Sequence, residues 1–393
     1  MNNKNKKLLY LEGVRGVAAC IVVLAHLKNV FYVDLKADTL NYFSALTHSN
    51  FAGTVLNSFV EILFDGKLAV EVFWFMSGYV ISIRLFSKDG ISYLKTAMIK
   101  RYFRLAIPIL GSVLLAWGLL KMGWMYNQQL AALSTQKYGG LAAYYHFEPN
   151  FLNALRSGLW DALFNFKPWE TYNGPLWSME PELYGSFSCF ILFAVFKTMP
   201  YRYLVYFALS ILAVLLGYYW PVTFIMGLTL SDIDHTSNKI KPVFEWLTKN
   251  IFSKWYYTFS LLLLLVIING FGQKYYSAYI KMFVSTVFII TVMNSELLRR
   301  FFSHKIPVWL GKISFSVYLV HHPIICSLAC YLFLYLGYQH AYSAIVTSLI
   351  SFGFILAMGY LFTKLIDGPA IRYSNAIAKK LLKLWYWDSP QRT

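Results

Sequence analysis

Acidic residues are scarce in this chain of 393 residues. It contains 18 Asp and Glu residues against 35 Lys and Arg residues, and charged residues of either sign occupy only 13% of positions. In an ordinary soluble domain about a quarter of the positions are charged, so this composition excludes that class. Hydrophobic residues occupy 58% of positions, a share typical of a polytopic membrane protein.

Cysteine is also rare. Cys20, Cys189, Cys326 and Cys330 all lie inside apolar segments, so the loops carry no disulfide framework. Cys326 and Cys330 are about one helical turn apart, a spacing that suits either packing or a metal pair, and packing is the commoner use of such cysteines. The sequence also lacks a Walker motif and a glycine-rich dinucleotide motif. We expect neither a metal ion nor a permanently bound cofactor.

Long apolar segments dominate the chain. A helix of about 20 apolar residues crosses a hydrocarbon core of about 30 Å. The segments that approach this length are Leu8–Val33, Leu68–Phe86, Leu105–Met122, Glu182–Phe196, Tyr201–Leu216, Tyr218–Leu230, Tyr256–Phe271, Ala278–Met293, Ile313–Leu336 and Tyr342–Ile366. They predict an all-α fold, a polytopic integral membrane helical bundle with about ten transmembrane helices.

The distribution of basic residues predicts the orientation of this bundle. With a cytoplasmic N-terminus, ten helices place the segments 87–104, 197–200, 231–255, 294–312 and 367–393 on the cytoplasmic side. These segments are richer in Lys and Arg than the opposite loops, as the positive-inside rule requires, so both termini are expected in the cytoplasm. The net charge of +17 then reflects topology and contact with anionic membrane lipids. No nucleic-acid partner is expected, because the basic residues do not gather on one soluble surface.

The first apolar segment is expected to remain in the membrane. It is too long for a removable signal peptide, and no small-residue cleavage site follows it. We therefore expect an integral protein of a cytoplasmic membrane, that is, an inner or plasma membrane. The longest segment between spans, residues 123–181, is rich in aromatic residues. It is expected on the outer side, along the membrane surface or over a cavity.

Arg15 and His26 both lie in the first apolar segment. They are eleven positions apart, close to three helical turns, so both project from one helix face about 16 Å apart along the axis. Ionisable side chains at bilayer depth usually mark a substrate pathway or a reacting centre. The alternative is an arginine that reaches the membrane surface and a histidine that binds a neighbouring helix.

The other charged residues form two groups by predicted depth. Glu71 and Glu182 fall in the outer half of the bilayer with His26, and a carboxylate beside a histidine fixes its tautomer and raises its basicity. A basic group falls at the cytoplasmic side, where guanidinium groups can hold phosphates in a bidentate manner. Its members are Arg15, Arg84, Lys100, Arg101 and Arg104. Taken singly, the glutamates also suit interhelical hydrogen bonds, and the basic run suits a topogenic cluster.

Six motifs follow one another along the chain. They are Leu11–Ala19 followed by His26, Glu71–Gly78, Lys100-Arg101 with Arg104 and Pro108, Gly174–Ser178 with Glu182, Trp309–Pro323, and Asp367-Gly368-Pro369 with Arg372. Together they resemble the membrane acyltransferase-3 family over about residues 8 to 373. The resemblance implies a membrane acyltransferase domain at 1–373, and a short basic cytoplasmic tail follows at 374–393.

This resemblance implies about ten membrane helices and transfer of an acyl group, commonly acetyl from acetyl-CoA, to a hydroxyl of a glycan or another acceptor. It also implies that His26 is the essential base or a transient acyl carrier and that Arg15 supports donor binding. Glu180 and Glu182 compete for the family's carboxylate, and Glu182 fits by its spacing to Trp177. Many members continue into an extracytoplasmic esterase-like domain. We expect this chain either to act alone or to pass acyl groups to a separate extracytoplasmic transferase.

These arguments assign roles to individual residues. The expected catalytic residues are His26 and Glu182. The expected donor-binding residues are Arg15, Lys100, Arg101 and Arg104. The expected residues of the substrate cavity are Glu12, Glu71, Ser77, Trp177, Ser178, Ser314, Tyr318 and His321, and for His321 a structural hydrogen bond is the alternative. Acetyl-CoA, or another acyl-CoA, is expected to enter from the cytoplasm. His26, oriented by Glu182 or Glu71, then deprotonates the acceptor hydroxyl or carries the acyl group itself.

Two other classes of function compete with this hypothesis. A polytopic transporter of a small anionic or polar solute would also bury Glu and Arg side chains along a path, but it predicts inverted repeats, and we find no convincing internal symmetry. A non-catalytic membrane scaffold predicts that His26 is replaceable. Within the acyltransferase hypothesis the acceptor stays open among surface polysaccharides, lipid-linked saccharides and other hydroxyl compounds. The acyl group is acetyl, succinyl or longer.

Overall fold

The structure is a computed structural model that describes residues 8–32, 60–87, 89–133, 141–236, 240–251, 255–272, 277–338 and 340–387. Every regular element in these ranges is a helix, and none is a strand. The all-α prediction is therefore confirmed for the described part of the chain. Residues 1–7 and 388–393, which belong to the predicted cytoplasmic ends, lie outside these ranges.

The helices that organise the fold are labelled here in chain order. They are α1 (Leu9–Phe31), α2 (Gly66–Leu85), α3 (Gly90–Lys121), α4 (Met179–Phe196), α5 (Arg202–Leu215), α6 (Trp220–His235), α7 (Ile240–Ile251), α8 (Trp255–Gly272), α9 (Ser277–Asn294), α10 (Glu296–Phe302), α11 (Lys305–Ile324), α12 (Cys330–Leu336), α13 (Ala341–Phe362) and α14 (Gly368–Trp387). Each of the ten apolar segments found in the sequence overlaps a helix of this set.

Six helical stretches in the described ranges are long and apolar enough to cross a membrane. They are Leu9–Phe31, Gly66–Leu85, Gly90–Lys121, Gly174–Phe196, Lys305–Leu336 and Tyr342–Leu384. A seventh span results if α9 and α10, which meet at a bend of 95°, count as one. The prediction of about ten spans exceeds this number. The 14-residue α5 rises only about 21 Å, which is less than the hydrocarbon core, and α6 carries two aspartates in its last turns.

Helix α3 begins much earlier than the hydropathy pattern predicts. The apolar segment starts at Leu105, but the helix starts at Gly90 and runs for 32 residues. The basic run Lys100–Arg104 therefore lies inside a helix rather than in a loop before it. This placement brings its arginine side chains against other helices of the bundle.

Close contacts between helices depend on glycine. A Cβ atom on Gly16 of α1 would lie 2.5 Å from the backbone of Gly311 and Pro307 in α11, and a Cβ on Gly78 of α2 would overlap the backbone of Phe224 in α6. Small residues allow helix backbones in a membrane to approach closely. The α1 and α11 helices thus meet backbone to backbone, which brings the side chains further along both helices into contact.

Described residues between α3 and α4 pack over α11 and the helical turn Ile325–Ala329 that follows it. Asn173 donates a hydrogen bond from Nδ2 to the carbonyl of Leu319 at 2.8 Å, and the backbone N–H of Tyr126 donates to the carbonyl of Cys326 at 2.9 Å. A short helical turn, Gly174–Ser178, then leads directly into α4. The bond from Asn173 places that turn beside the C-terminal half of α11.

We expect Gly16→Ala to destabilise the protein, because the new methyl group meets backbone atoms that cannot move aside. Overpacking of this kind costs about 1–3 kcal/mol. The matched control is Gly118→Ala in α3, where a Cβ meets no atom within 4 Å. Thermal unfolding of the purified protein in detergent measures both variants. A midpoint for Gly16→Ala equal to that of the wild type would contradict the close contact between α1 and α11.

Candidate functional site

A cavity of about 290 Å³ lies at the N-terminal end of α1. We call it the basic cavity, because three arginines line it. The polar lining residues are Glu12, Arg15, Ser77, Arg101, Arg104, Ser178, Glu182, Ser314 and Tyr318. They come from α1, α2, α3, α4, α11 and the turn that leads into α4. The structure thus brings together most of the residues that the sequence assigned to the donor site and the substrate cavity.

Glu182 connects three helices in the wall of the basic cavity. Its carboxylate forms an ion pair with Arg101 and accepts a hydrogen bond from the hydroxyl of Ser77 at 2.6 Å. The Arg101 Nε atom is buried and has no hydrogen-bond partner among the described residues. One N–H group of this guanidinium is therefore bound to Glu182, and another has no partner among the described residues.

The other two arginines of the basic cavity are paired to different degrees. Arg104 binds Asp367 at 2.5 Å, and its guanidinium lies 5.2 Å from the centre of the Phe315 ring. Arg15 has a longer contact of 3.7 Å with Glu12 on the same helix, and its side chain is 36% exposed. Arg15 is therefore the arginine of this cavity that is most open to an incoming anion.

A second cavity, of about 430 Å³, lies along the C-terminal half of α1. We call it the histidine cavity. It is lined by Val22, Ala25, His26, Asn29, Phe64, Asp65, Gly66, Lys67, Val70, Trp177, Lys281 and Tyr318. Val70 and Tyr318 also line the basic cavity. The two cavities therefore share a wall, with Arg15 on one side and His26 on the other.

Tyr318 is held firmly in this shared wall. Its hydroxyl donates a hydrogen bond to the carbonyl of Pro175 at 2.7 Å and lies 2.6 Å from the hydroxyl of Ser178. Both partners belong to the turn before α4. The phenol ring is thus fixed at the boundary between the arginines and the histidine.

Backbone carbonyl groups orient the histidines. The Nδ1 atom of His26 lies 2.9 Å from the carbonyl of Val22, and Nδ1 of His321 lies 2.6 Å from the carbonyl of Tyr318. Because a carbonyl only accepts, Nδ1 carries the proton in both rings, which leaves Nε2 with a lone pair. In neutral His26 that lone pair can accept a proton from a substrate.

His26 belongs to a cluster of three imidazoles. The centre of its ring lies 4.9 Å from that of His321 and 6.3 Å from that of His322, both edge to face. His321 and His322 are buried, and the Nε2 atom of His321 has no hydrogen-bond partner among the described residues. His321 therefore packs behind His26 and does not line either cavity.

The prediction that a glutamate orients His26 is wrong in this geometry. Glu182 lies in the basic cavity and binds Arg101. Glu71 is buried and accepts a hydrogen bond from the hydroxyl of Thr223 at 2.7 Å, and it lines neither cavity. The early start of α3 explains the difference, because it carries a guanidinium into the bundle within reach of the first turn of α4.

Two further predicted residues are separated from their neighbours in sequence. Lys100 lines neither cavity, although Arg101 and Arg104 on the same helix line the basic one. Trp177 lines the histidine cavity rather than the one that holds Ser178. Successive helical residues point in different directions, so neighbours in sequence separate in this way.

Sequence reasoning missed four polar residues of the histidine cavity. They are Asn29, Asp65, Lys67 and Lys281. One signal was present, since Lys281 lies inside an apolar segment, where an ionisable residue by default marks a functional site. Among the described residues, no group of three or more His, Cys, Asp or Glu side chains is arranged to hold a metal ion.

Comparison with known proteins gives one result for this chain. The family model of acyltransferase-3, described as an acyltransferase domain, matches residues 8–364. This range covers nearly the whole chain and includes both cavities. No curated protein and no solved structure matches.

We expect the ion pair between Arg101 and Glu182 to be energetically coupled. Arg101→Gln or Glu182→Gln alone leaves a charge buried without its partner, at a cost of about 3 kcal/mol. The double variant removes both charges and is expected to lose less than the sum of the two single losses. The matched control is the exposed pair Arg300 and Glu296, for which coupling near zero is expected. Thermal unfolding in detergent measures the double-mutant cycle of each pair. Purely additive losses for the buried pair would contradict the prediction.

Proposed function

The chain belongs to the acyltransferase-3 family, and on that premise we propose that it transfers an acetyl group from acetyl-CoA to a hydroxyl of a glycan within or across the membrane. The observation that carries this proposal is the pair of cavities along α1. One presents arginines, the other presents an imidazole, and the two share a wall at Val70 and Tyr318.

The basic cavity suits the phosphates of the donor. Guanidinium groups bind phosphate oxygens in a planar, bidentate manner. The side chain of Arg15 is partly exposed, and Arg101 and Arg104 line the same cavity. From Arg15 the pantetheine arm of the donor follows α1 past Tyr318 toward His26, over an axial distance of about 16 Å. The thioester then lies at the shared wall.

The histidine cavity suits the acceptor. The Nε2 atom of His26 takes the proton of the acceptor hydroxyl while the hydroxyl oxygen forms a bond to the thioester carbon. The carbon–sulfur bond breaks, and the CoA sulfur receives the proton from His26. The products are the acetyl ester and free CoA.

A covalent form of the same reaction uses His26 as the nucleophile. Nε2 then attacks the thioester carbon, and the carbon–sulfur bond breaks to give an acetyl-imidazolium and the CoA thiolate. The acceptor oxygen next attacks the acetyl carbon, the bond from this carbon to Nε2 breaks, and the hydroxyl proton passes to the thiolate. Either form needs a neutral His26 with Nε2 free. The hydrogen bond from Nδ1 to the carbonyl of Val22 supports that state.

The acyl group is then released as part of the acylated glycan, or it is passed to a separate extracytoplasmic transferase. The donor is a substrate that is released as CoA in each cycle, and membrane lipids surround the protein in an inner or plasma membrane. The family membership favours this function over solute transport.

We expect His26→Ala to lower acetyl transfer by at least about a hundredfold, because it removes the base or nucleophile. The measurement is transfer of radiolabelled acetyl from acetyl-CoA to extractable glycan and lipid in membranes with matched protein levels. The control is His340→Ala, which removes an exposed histidine that lines neither cavity. Transfer that survives His26→Ala would eliminate His26 as the reacting group.

We expect Arg15→Gln to raise the KM for acetyl-CoA about tenfold, because it removes a hydrogen bond to a charged phosphate. Initial rates at varied acetyl-CoA concentration measure this change. The control is Arg156→Gln, since Arg156 is exposed and pairs with Asp161 away from both cavities. An unchanged KM in Arg15→Gln would show that the phosphates bind elsewhere.

A further inference from the structure

The histidine cavity differs from the basic cavity in its chemistry. Its lining combines lysine, a carboxylate, an amide, an imidazole and an indole ring. On the premise of the acyl transfer proposed above, we propose that this cavity binds the acceptor as an anionic saccharide, that is, a sugar that bears a carboxylate or a phosphate. A hydroxyl of that sugar then faces His26.

Among the described residues that line this cavity, the two lysines outnumber the one carboxylate. Asp65 is the one carboxylate among its described lining residues, and it is already satisfied. It forms an ion pair with Lys281, and it accepts hydrogen bonds from Asn269 at 3.1 Å and from the backbone of Leu68 at 2.9 Å. Lys67 is exposed at the cavity and has no ion-pair partner among the described residues. An incoming anion therefore meets an ammonium group whose charge is not neutralised.

Lys281 strengthens this preference for an anion. Its side chain is only 7% exposed, yet it lines the cavity. An ammonium group has three N–H donors, so binding of one carboxylate oxygen leaves donors for a ligand. Hydrogen bonds in such a water-poor environment are stronger than those at an open surface.

An aromatic ring and an amide suit the sugar part of the ligand. Trp177 is 37% exposed and is held edge to face by Trp74, with ring centres 5.8 Å apart. Its face offers apolar area to the C–H face of a pyranose ring. The amide of Asn29, which is also exposed, offers both a donor and an acceptor to hydroxyl groups.

The size of the cavity fits a small ligand or the end of a longer glycan. Its volume of about 430 Å³ falls within the range of roughly 300–1,000 Å³ that is usual for ligand sites. The arginines that suit the donor phosphates lie beyond Tyr318 in the other cavity. A neutral glycan is the alternative ligand, and it would use Trp177 and Asn29 but leave Lys67 without a role.

The test is binding of three probes to the purified full chain in detergent, measured by concentration-dependent thermal stabilisation. The probes are glucuronic acid, glucose 1-phosphate and glucose. We expect at least one anionic sugar to bind about tenfold more tightly than glucose and to lose affinity as salt is added. Lys67→Gln is expected to remove most of this preference. The matched control Lys121→Gln, at the exposed end of α3 and outside both cavities, is expected to retain it.

Each outcome decides the proposal. A preference for glucuronic acid or for glucose 1-phosphate that depends on Lys67 supports it and identifies the anion. Equal affinities for all three sugars, no binding of any of them, or a preference that persists in Lys67→Gln overturns it. Acetyl-CoA binding by the wild type is measured separately. If sugar binding depends on Lys67 but acetyl-CoA does not bind, the proposed acyl transfer is overturned and the proposed sugar site is not.

Discussion

Charged side chains inside the helical bundle constrain this fold more than any other feature. A buried charge without a partner costs several kcal/mol, and at bilayer depth no bulk water can replace the partner. The described helices offset this cost with ion pairs between residues far apart in sequence. The pairs are Arg101 with Glu182, Arg104 with Asp367, Arg202 with Asp232, and Lys281 with Asp65. Because each pair joins two elements of the bundle, the pairs restrict which helices can be neighbours.

The two cavities lie where this pairing is incomplete. Arg15 has only a long contact with Glu12 on its own helix, and Lys67 has no ion pair among the described residues. Both side chains remain accessible from a cavity, so solvent or a ligand can satisfy them. Tightly paired charges therefore hold the bundle together even where they line a cavity, whereas Arg15 and Lys67 are charges that a substrate can reach without displacing a close partner.

Local sequence patterns reveal part of this arrangement. Arg15 and His26 can be placed along one helix because the helical period is fixed, and the structure puts them in adjoining cavities. The predicted depth of Glu182 in the membrane also suggests a position beside His26, but its carboxylate binds Arg101. Hydropathy does not show that α3 starts at Gly90, since its first turns are not continuously apolar. The ion-pair partner of a residue such as Glu182 depends on which helices pack together. The periodicity of a single apolar segment carries no information about that packing.

The choice of partner for His26 has a chemical consequence. A carboxylate stabilises the charged imidazolium form, whereas the carbonyl of Val22 fixes the tautomer without adding a full charge. The ring centre of His321 lies 4.9 Å from that of His26. The carbonyl of Tyr318 orients the His321 ring in the same way. Two imidazolium groups at this separation would repel each other, and neutral rings do not. Orientation by carbonyl groups thus allows the imidazoles to pack together while Nε2 of His26 stays available for proton or acyl transfer.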